Sequence, residues 1–261
     1  KFNTSNVTNM SYMFNSTGYK SPVFTLNLGD KFDTSNVTNM SGMFQSTGFS
    51  NTQFTLDLGS KFDTSSVTNM SNMFNSTGFN STVFTLDLGN SFDTSNVTNM
   101  GYLFRRLGYN NPSFTLNLGN KFDTSQVTDM QYMFEQTGYR SSSFTLDLGS
   151  KFNTSQVKTM RYMFSETGRN STVFSINFGN QFTTSSVINM DQMFYNVGRS
   201  NASLTLDLSS FDFSNVISQS NIFTGMTSGN IIYVGNATAR DWIINNSGNT
   251  NLTTSNVLIK T

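Results

Sequence analysis

The chain has no cysteine and no histidine, only two prolines and one tryptophan, and charged residues make up 11% of it. Without cysteine there is no disulfide framework, no thiolate zinc site and no cysteine nucleophile. Without histidine there is no histidine-dependent triad, no imidazole ligand and no side chain that ordinarily titrates near neutral pH. Fifteen basic and fifteen acidic residues cancel, so nothing electrostatic points to nucleic acid or to insertion at an anionic membrane. No apolar run approaches the ~18 residues of a membrane span, and no basic segment followed by an apolar one marks a secretory leader. Ordinary soluble domains carry roughly 25% charged residues; here asparagine, serine and threonine supply the polarity. An aromatic content of 14% is too rich for a disordered tail.

What is present is a repeat. Residues 1–210 are seven copies of a 30-residue unit without insertion or deletion, and the second copy reads KFDTSNVTNMSGMFQSTGFSNTQFTLDLGS. Phe2 recurs as Phe32, Phe62, Phe92, Phe122, Phe152 and Phe182; Val7, Met10, Phe14 and Gly18 begin similar columns. A degenerate eighth copy, one residue out of phase, runs from Phe211 through Val216 to Phe223. A fixed period of this size predicts a solenoid. One unit buries about eight apolar side chains at roughly 2 kcal/mol each. That is too little against a backbone entropy cost of about 1–2 kcal/mol per ordered residue, so each copy needs its neighbours.

Two local patterns fill each unit. Phe24-Thr25-Leu26-Asn27-Leu28 alternates apolar and polar, the period of a half-buried strand, with Phe24, Leu26 and Leu28 inward. Val7, Met10, Met13 and Phe14, spaced three, three and one, predict one face of a short helix ended by Gly18 in a left-handed conformation. The expected coil is therefore strand, bend, short helix and glycine turn, with strands of successive coils parallel and about 4.8 Å apart. The Thr-Ser pair, as at Thr34-Ser35, is identical in seven copies and is expected to satisfy backbone groups where the chain corners. Asp33, Asp63, Asp93 and Asp123 are expected to make Asx turns.

The run Phe-Asp-Thr-Ser-Asn-Val-Thr-Asn-Met-x-x-Met-Phe at Phe32–Phe44, nearly intact at Phe92–Phe104, resembles the BspA-like bacterial surface leucine-rich repeat. The resemblance covers every copy. It implies an α/β repeat solenoid, right-handed, with one parallel β-sheet and one short strand and one short helix per 30-residue coil. It also implies a surface protein or lipoprotein of Gram-positive bacteria or mollicutes, of the kind taken to be adhesins. The resembled unit is commonly shorter, about 25 residues, and the segment Tyr19-Lys20-Ser21-Pro22 adds a longer turn here.

Residues 1–230 are expected to form the solenoid and 231–261 a C-terminal cap, with strand Ile231–Val234, a helix capped by Asn236, and strand Val257–Ile259. Such a cap covers the apolar end and the sheet edge of the last coil. Trp242 is read as a cap-core residue. The chain opens in the middle of the pattern at Lys1, as an excised fragment would.

Candidate binding residues fall in three sets. The outward strand face carries Thr25 and Thr115 in one row and Asp57, Asp87 and Asp147 in the next. Asp57 and Asp87, one coil apart, would repel, which a bound cation would relieve, although no histidine and few glutamates converge with them. A row after the glycine turn carries Tyr19, Phe49, Phe79, Tyr109 and Tyr139, then Arg169 and Arg199. Alternation of aromatic and arginine predicts that this row is at least partly exposed, and position 12 of the unit (Tyr12, Gly42, Asn72, Tyr102, Tyr132, Tyr162, Gln192) varies similarly. Arg105, Arg106, Arg140, Arg161, Arg169 and Arg199 all lie in copies four to seven, with Glu135 and Glu166 nearby. No catalytic constellation, cofactor motif or metal motif is present in this reading. The expectation is a non-enzymatic module at the bacterial surface, extracellular and monomeric as a fragment, that binds a host protein or glycan. The alternative is a structural spacer that presents another domain.

Overall fold

The computed structural model describes residues 4–261. Phe2, the first member of one expected core column, lies outside the described residues. Coil n below denotes the nth 30-residue copy.

The chain winds as a parallel β-solenoid of about seven stacked coils. Each coil contributes one short strand: β1 (Val23–Asn27), β2 (Gln53–Asp57), β3 (Thr85–Asp87), β4 (Thr115–Asn117), β5 (Ser143–Asp147), β6 (Val173–Asn177) and β7 (Thr205–Leu208). Pairing is parallel and in the 30-residue register, Phe24 beside Phe54 and Phe144 beside Phe174. Alternation holds as the sequence predicts: in β5 the side chains of Phe144 and Leu146 are buried while Ser143, Thr145 and Asp147 face outward.

Two expectations need correction. The strands do not form one continuous sheet. They pair as β1–β2, β3–β4 and β5–β6, and β7 joins the terminal strands. Glycine turns approach closely only within a pair: a Cβ on Gly59 would lie 1.9 Å from the Gly29 carbonyl oxygen, whereas one on Gly89 would meet nothing within 4 Å. The first break falls between Asp57 and Asp87, whose like charges disfavour close pairing. What runs unbroken is a column of single parallel bridges, from Asn9–Asn39 through Asn99–Asp129 to Asn189–Ser218.

The second correction concerns the expected helix of each coil, which is a run of β-turns. Met13, Asn15 and Thr17 donate their N–H groups to the carbonyls of Met10, Tyr12 and Phe14, three residues back. The intervening N–H groups of Met10, Tyr12, Phe14 and Ser16 donate instead to Asn39, Ser41, Met43 and Gln45 of the next coil. An α-helix would keep all of these bonds within the segment. Serine, asparagine and glycine are poor helix formers, and the left-handed residues at Tyr12, Ser16 and Gly18 break any helical path. The turn path still brings Val37, Met40, Met43 and Phe44 inward with no exposure, so the inward assignment of this segment stands.

The core is a bundle of stacked columns. Phe14, Phe44, Phe74, Phe104, Phe134, Phe164, Phe194 and Phe223 lie ring over ring at 5.5–5.9 Å. Buried threonines bind the coils at the corner. Thr34 Oγ1 donates to the Asp63 carbonyl at 2.7 Å and accepts from the Asp63 N–H at 2.7 Å. The same hydroxyl-to-carbonyl bond recurs from Thr4 through Thr184. Its span is 29 residues until the last, Thr184 to Asp212, where it is 28. That is the one-residue phase slip of the eighth copy.

After the coils come β8 (Ile231–Val234), α1 (Ala237–Asn246) and β9 (Val257–Ile259), with β8 between β7 and β9. Asn236 caps α1 by accepting the Ala239 N–H at 2.9 Å. The helix buries Ala239 and Ile243, and Trp242 stacks on Phe213 at 4.4 Å. Among the described residues no helix is long and apolar enough to cross a membrane.

Candidate binding face

The three sets of candidates fall on two faces. Thr25, Thr115, Asp57, Asp87 and Asp147 are exposed on the outer strand face. The aspartates are occupied by turn chemistry: the Oδ1 atoms of Asp57, Asp87 and Asp147 accept the N–H groups of Gly59, Gly89 and Gly149 at 2.9–3.0 Å. Each also accepts from an asparagine of its paired coil, Asn27 to Asp57, Asn117 to Asp87 and Asn177 to Asp147. Asp57 and Asp87 thus turn to opposite neighbours. Among the described residues no three acidic groups are placed to hold a metal ion.

The aromatic row lies on the turn face. Tyr19, Phe49, Phe79, Tyr109 and Tyr139 form one stack with centroids 5.6, 4.6, 4.5 and 4.4 Å apart. Arg169 closes it, with its guanidinium 5.5 Å from the Tyr139 centroid and Nη1 donating to the Tyr139 hydroxyl at 2.8 Å. Arg199 and Arg140 lie exposed beside this end. Interior rings cover one another's faces, so the row presents ring edges and hydroxyls to solvent. Tyr19, at 52% exposure, is the open end.

A second stack runs beside it. Tyr102, Tyr132 and Tyr162 lie nearly parallel at 4.6 and 4.5 Å, and Gln192 donates to the Tyr162 hydroxyl at 2.5 Å. Charged and amide groups fill the strip between the stacks. Arg105 pairs with Glu135. Arg106 Nε donates to Gln136 at 2.8 Å, Gln136 donates to Glu166 at 2.5 Å, and Arg169 pairs with Glu166 at 2.5 Å. The arginine cluster is therefore partly neutralised from within, and Arg140, Arg161 and Arg199 are its exposed members. Burial and the neighbouring Tyr139 push the Tyr109 phenol above its ordinary pKa, and burial does the same to Tyr132.

The backbone beneath this strip is unusual. Position 12 has φ between 54° and 62° in all seven coils and position 16 between 50° and 60°. Gly42 and Asn72 suit a left-handed conformation. Tyr102, Tyr132, Tyr162, Arg106, Gln136 and Glu166 do not, and a non-glycine residue there costs about 1–2 kcal/mol. Coils 4–6 thus carry bulky and charged residues where the backbone favours glycine or asparagine. The link through Gln136 was not among the sequence candidates, whereas Gln192 stood in the variable position-12 row. The signal for Gln136 was the change at positions 15 and 16 from Asn-Ser to Arg-Arg, Glu-Gln and Ser-Glu.

One cleft, of about 510 Å³, lies elsewhere, over Asp33, Asp63 and Asp93. The Asp33 carboxylate accepts from Ser35, which holds it below its ordinary pKa, and Lys61 and Lys121 line the same cleft. Its three carboxylates face two lysines.

A comparison with curated proteins gave no match. A comparison with solved structures gave none either. One family model matches four overlapping stretches, residues 1–111, 46–173, 79–205 and 110–236, as expected of a tandem repeat. With those matches running over most of its length, the chain belongs to the family described as Mycoplasma protein of unknown function, DUF285.

Proposed function

We propose that this chain is a non-catalytic binding module of a bacterial cell-surface protein, which takes a host protein or glycan on the turn face of coils 4–6. The observation that carries the reading is where the seven copies differ. Core columns repeat almost unchanged, while positions 12, 15, 16, 19 and 20, whose side chains meet those of the next coil on the turn face, change size and charge; positions 8, 9, 11 and 23 vary as well. The left-handed backbone at positions 12 and 16 recurs in all seven coils; three successive tyrosines with Arg106, Gln136 and Glu166 on it in coils 4–6 support the reading, because such residues are disfavoured there. Tyrosine edges interleaved with arginine are a common composition for recognition. The two stacks and the hydrogen-bonded strip hold these groups still before any partner arrives, which lowers the entropy cost of binding.

A spacer is the second reading, favoured by the unbroken phenylalanine column and bridge column, which make a stiff rod. A screen against glycans and extracellular-matrix proteins separates the two. Binding by the wild type that is lost in Tyr109→Ala, Tyr139→Ala and Arg140→Ala supports the module. An absence of binding across the screen overturns it in favour of the spacer.

A further inference from the structure

Five of the nine tyrosines stand in two stacks in which each phenol lies over another phenol. Tyr102, Tyr132 and Tyr162 are 4.6 and 4.5 Å apart with planes within 8° of parallel, and Tyr109 and Tyr139 are 4.4 Å apart at 13°. Coil stacking in register sets these spacings, and all five rings are only half-buried. The other four tyrosines differ. Tyr12 lies over Gly42 and Tyr19 stacks on Phe49, and among the described residues Tyr195 and Tyr233 stack on no ring.

We propose that these two stacks are oxidative cross-linking sites. Tyr132 couples to Tyr102 or Tyr162, and Tyr109 couples to Tyr139, in a reaction that takes hydrogen peroxide and a haem peroxidase as oxidant. Each phenol of a pair gives up one electron and its hydroxyl proton, which leaves two adjacent phenoxyl radicals. A carbon–carbon bond forms between the ring carbons ortho to the two oxygens. The hydrogens on those carbons then leave as protons while the oxygens are reprotonated, and both rings regain aromaticity. The pair has lost two electrons and two protons, and one hydrogen peroxide has become two waters.

The surroundings suit the chemistry. Arg169 donates to the Tyr139 oxygen and Gln192 to the Tyr162 oxygen, so neither phenol's own proton is held by those partners. Tyr109 and Tyr132 are protonated at neutral pH like any ordinary phenol, and burial raises them further, so oxidation removes a proton along with the electron. Held pairs also favour coupling within one molecule over coupling between molecules, because the partner is already in place. Each bond would close a loop of one coil and restrict the unfolded chain.

The test is oxidation of the dilute folded chain by a haem peroxidase and hydrogen peroxide, read by dityrosine fluorescence and peptide mass spectrometry. The expected product is monomeric and has lost four hydrogens in two bonds, one within Tyr102, Tyr132 and Tyr162 and one between Tyr109 and Tyr139. Tyr132→Phe, which keeps the ring, should remove the first bond and spare the second; Tyr139→Phe should do the reverse. Chain unfolded in urea should lose this choice of pairs. The proposal is overturned if no dityrosine forms in the folded monomer. It is equally overturned if Tyr12, Tyr19, Tyr195 or Tyr233 cross-link in comparable yield, or if Tyr132→Phe leaves the pattern unchanged.

Discussion

Thr34→Val isolates the bond that ties one coil to the next. Valine has nearly the shape of threonine, so the change opens no cavity. Thr34 is fully buried, and its hydroxyl both donates to and accepts from the backbone of Asp63 at 2.7 Å. Valine leaves that N–H and that carbonyl without their partner. A buried backbone group left unpaired costs about 1–3 kcal/mol. Asp63 is half-buried, so water recovers part of the loss at that residue. The expected destabilisation is about 2–4 kcal/mol, at the upper end of what single substitutions do. Urea denaturation measures it, with the slope unchanged if the coils unfold together as before. Amide exchange should show the Asp63 N–H losing protection first. Thr115→Val, on the exposed strand face, should shift stability by less than about 0.5 kcal/mol. If Thr34→Val melts within that same margin, the threonine column does not staple the coils, and its sevenfold recurrence needs another cause.

Three further outcomes follow from local geometry. Gly59→Ala should be clearly more destabilising than Gly89→Ala in the same urea assay: both have positive φ, but only the Gly59 methyl would strike a carbonyl oxygen, that of Gly29. Met130→Asp should unfold the neighbouring coils cooperatively, since it places an unpaired carboxylate where no solvent reaches; a wild-type melt would refute the inward place of that column. Stability should fall in acid. Ser214 holds the Asp212 carboxyl below its ordinary pKa through hydrogen bonds. In Asp93 burial pushes the pKa upward, but the bonds from Ser95 and the charges of Lys121 and Lys151 outweigh it and leave the carboxyl low. Because these folded-state values lie below the unfolded value of about 3.9, their contribution is complete above that pH and is lost as pH drops through the folded values. Asp93→Asn and Asp212→Asn should lower the plateau above pH ~5 and leave stability in strong acid nearly unchanged, so that the acid limb flattens.

The period, the inward columns, the strand alternation and the terminal strand–helix–strand were legible because each leaves a spacing in the sequence. The turn run was not, because spacings of three, three and one at Val7, Met10, Met13 and Phe14 fit a helix face and a run of β-turns equally. What separates them is the destination of the Tyr12 and Phe14 N–H groups, carbonyls one coil away that no local pattern encodes. Gly42 and Asn72 at the position held elsewhere by tyrosine were a usable sign of left-handed backbone, since these residues tolerate it best. The aromatic row was legible as a row, but the covering of its faces was not, because ring orientation depends on the packing of adjacent turns. The pairing of arginines with Glu135 and Glu166 was half-legible: the charges lay close in the repeat, while the links through Gln136 came from side-chain reach across coils.

The central claim is that the tyrosines at position 12 serve recognition and not packing. Replacing Tyr102, Tyr132 and Tyr162 together by asparagine, the residue coil 3 carries there, tests it most directly. Asparagine fits the left-handed backbone better, a gain of up to about 1 kcal/mol at each position. Each of the two lost stacking contacts costs about 0.5–1.5 kcal/mol. The gain in backbone fit offsets the stacking term, and what remains is the area of three rings that are only half-buried. The account predicts a melting temperature within a few degrees of wild type, together with loss of binding on a glycan and extracellular-matrix array. A variant that binds as wild type does but melts far lower would show that the rings are there for packing, and would contradict it.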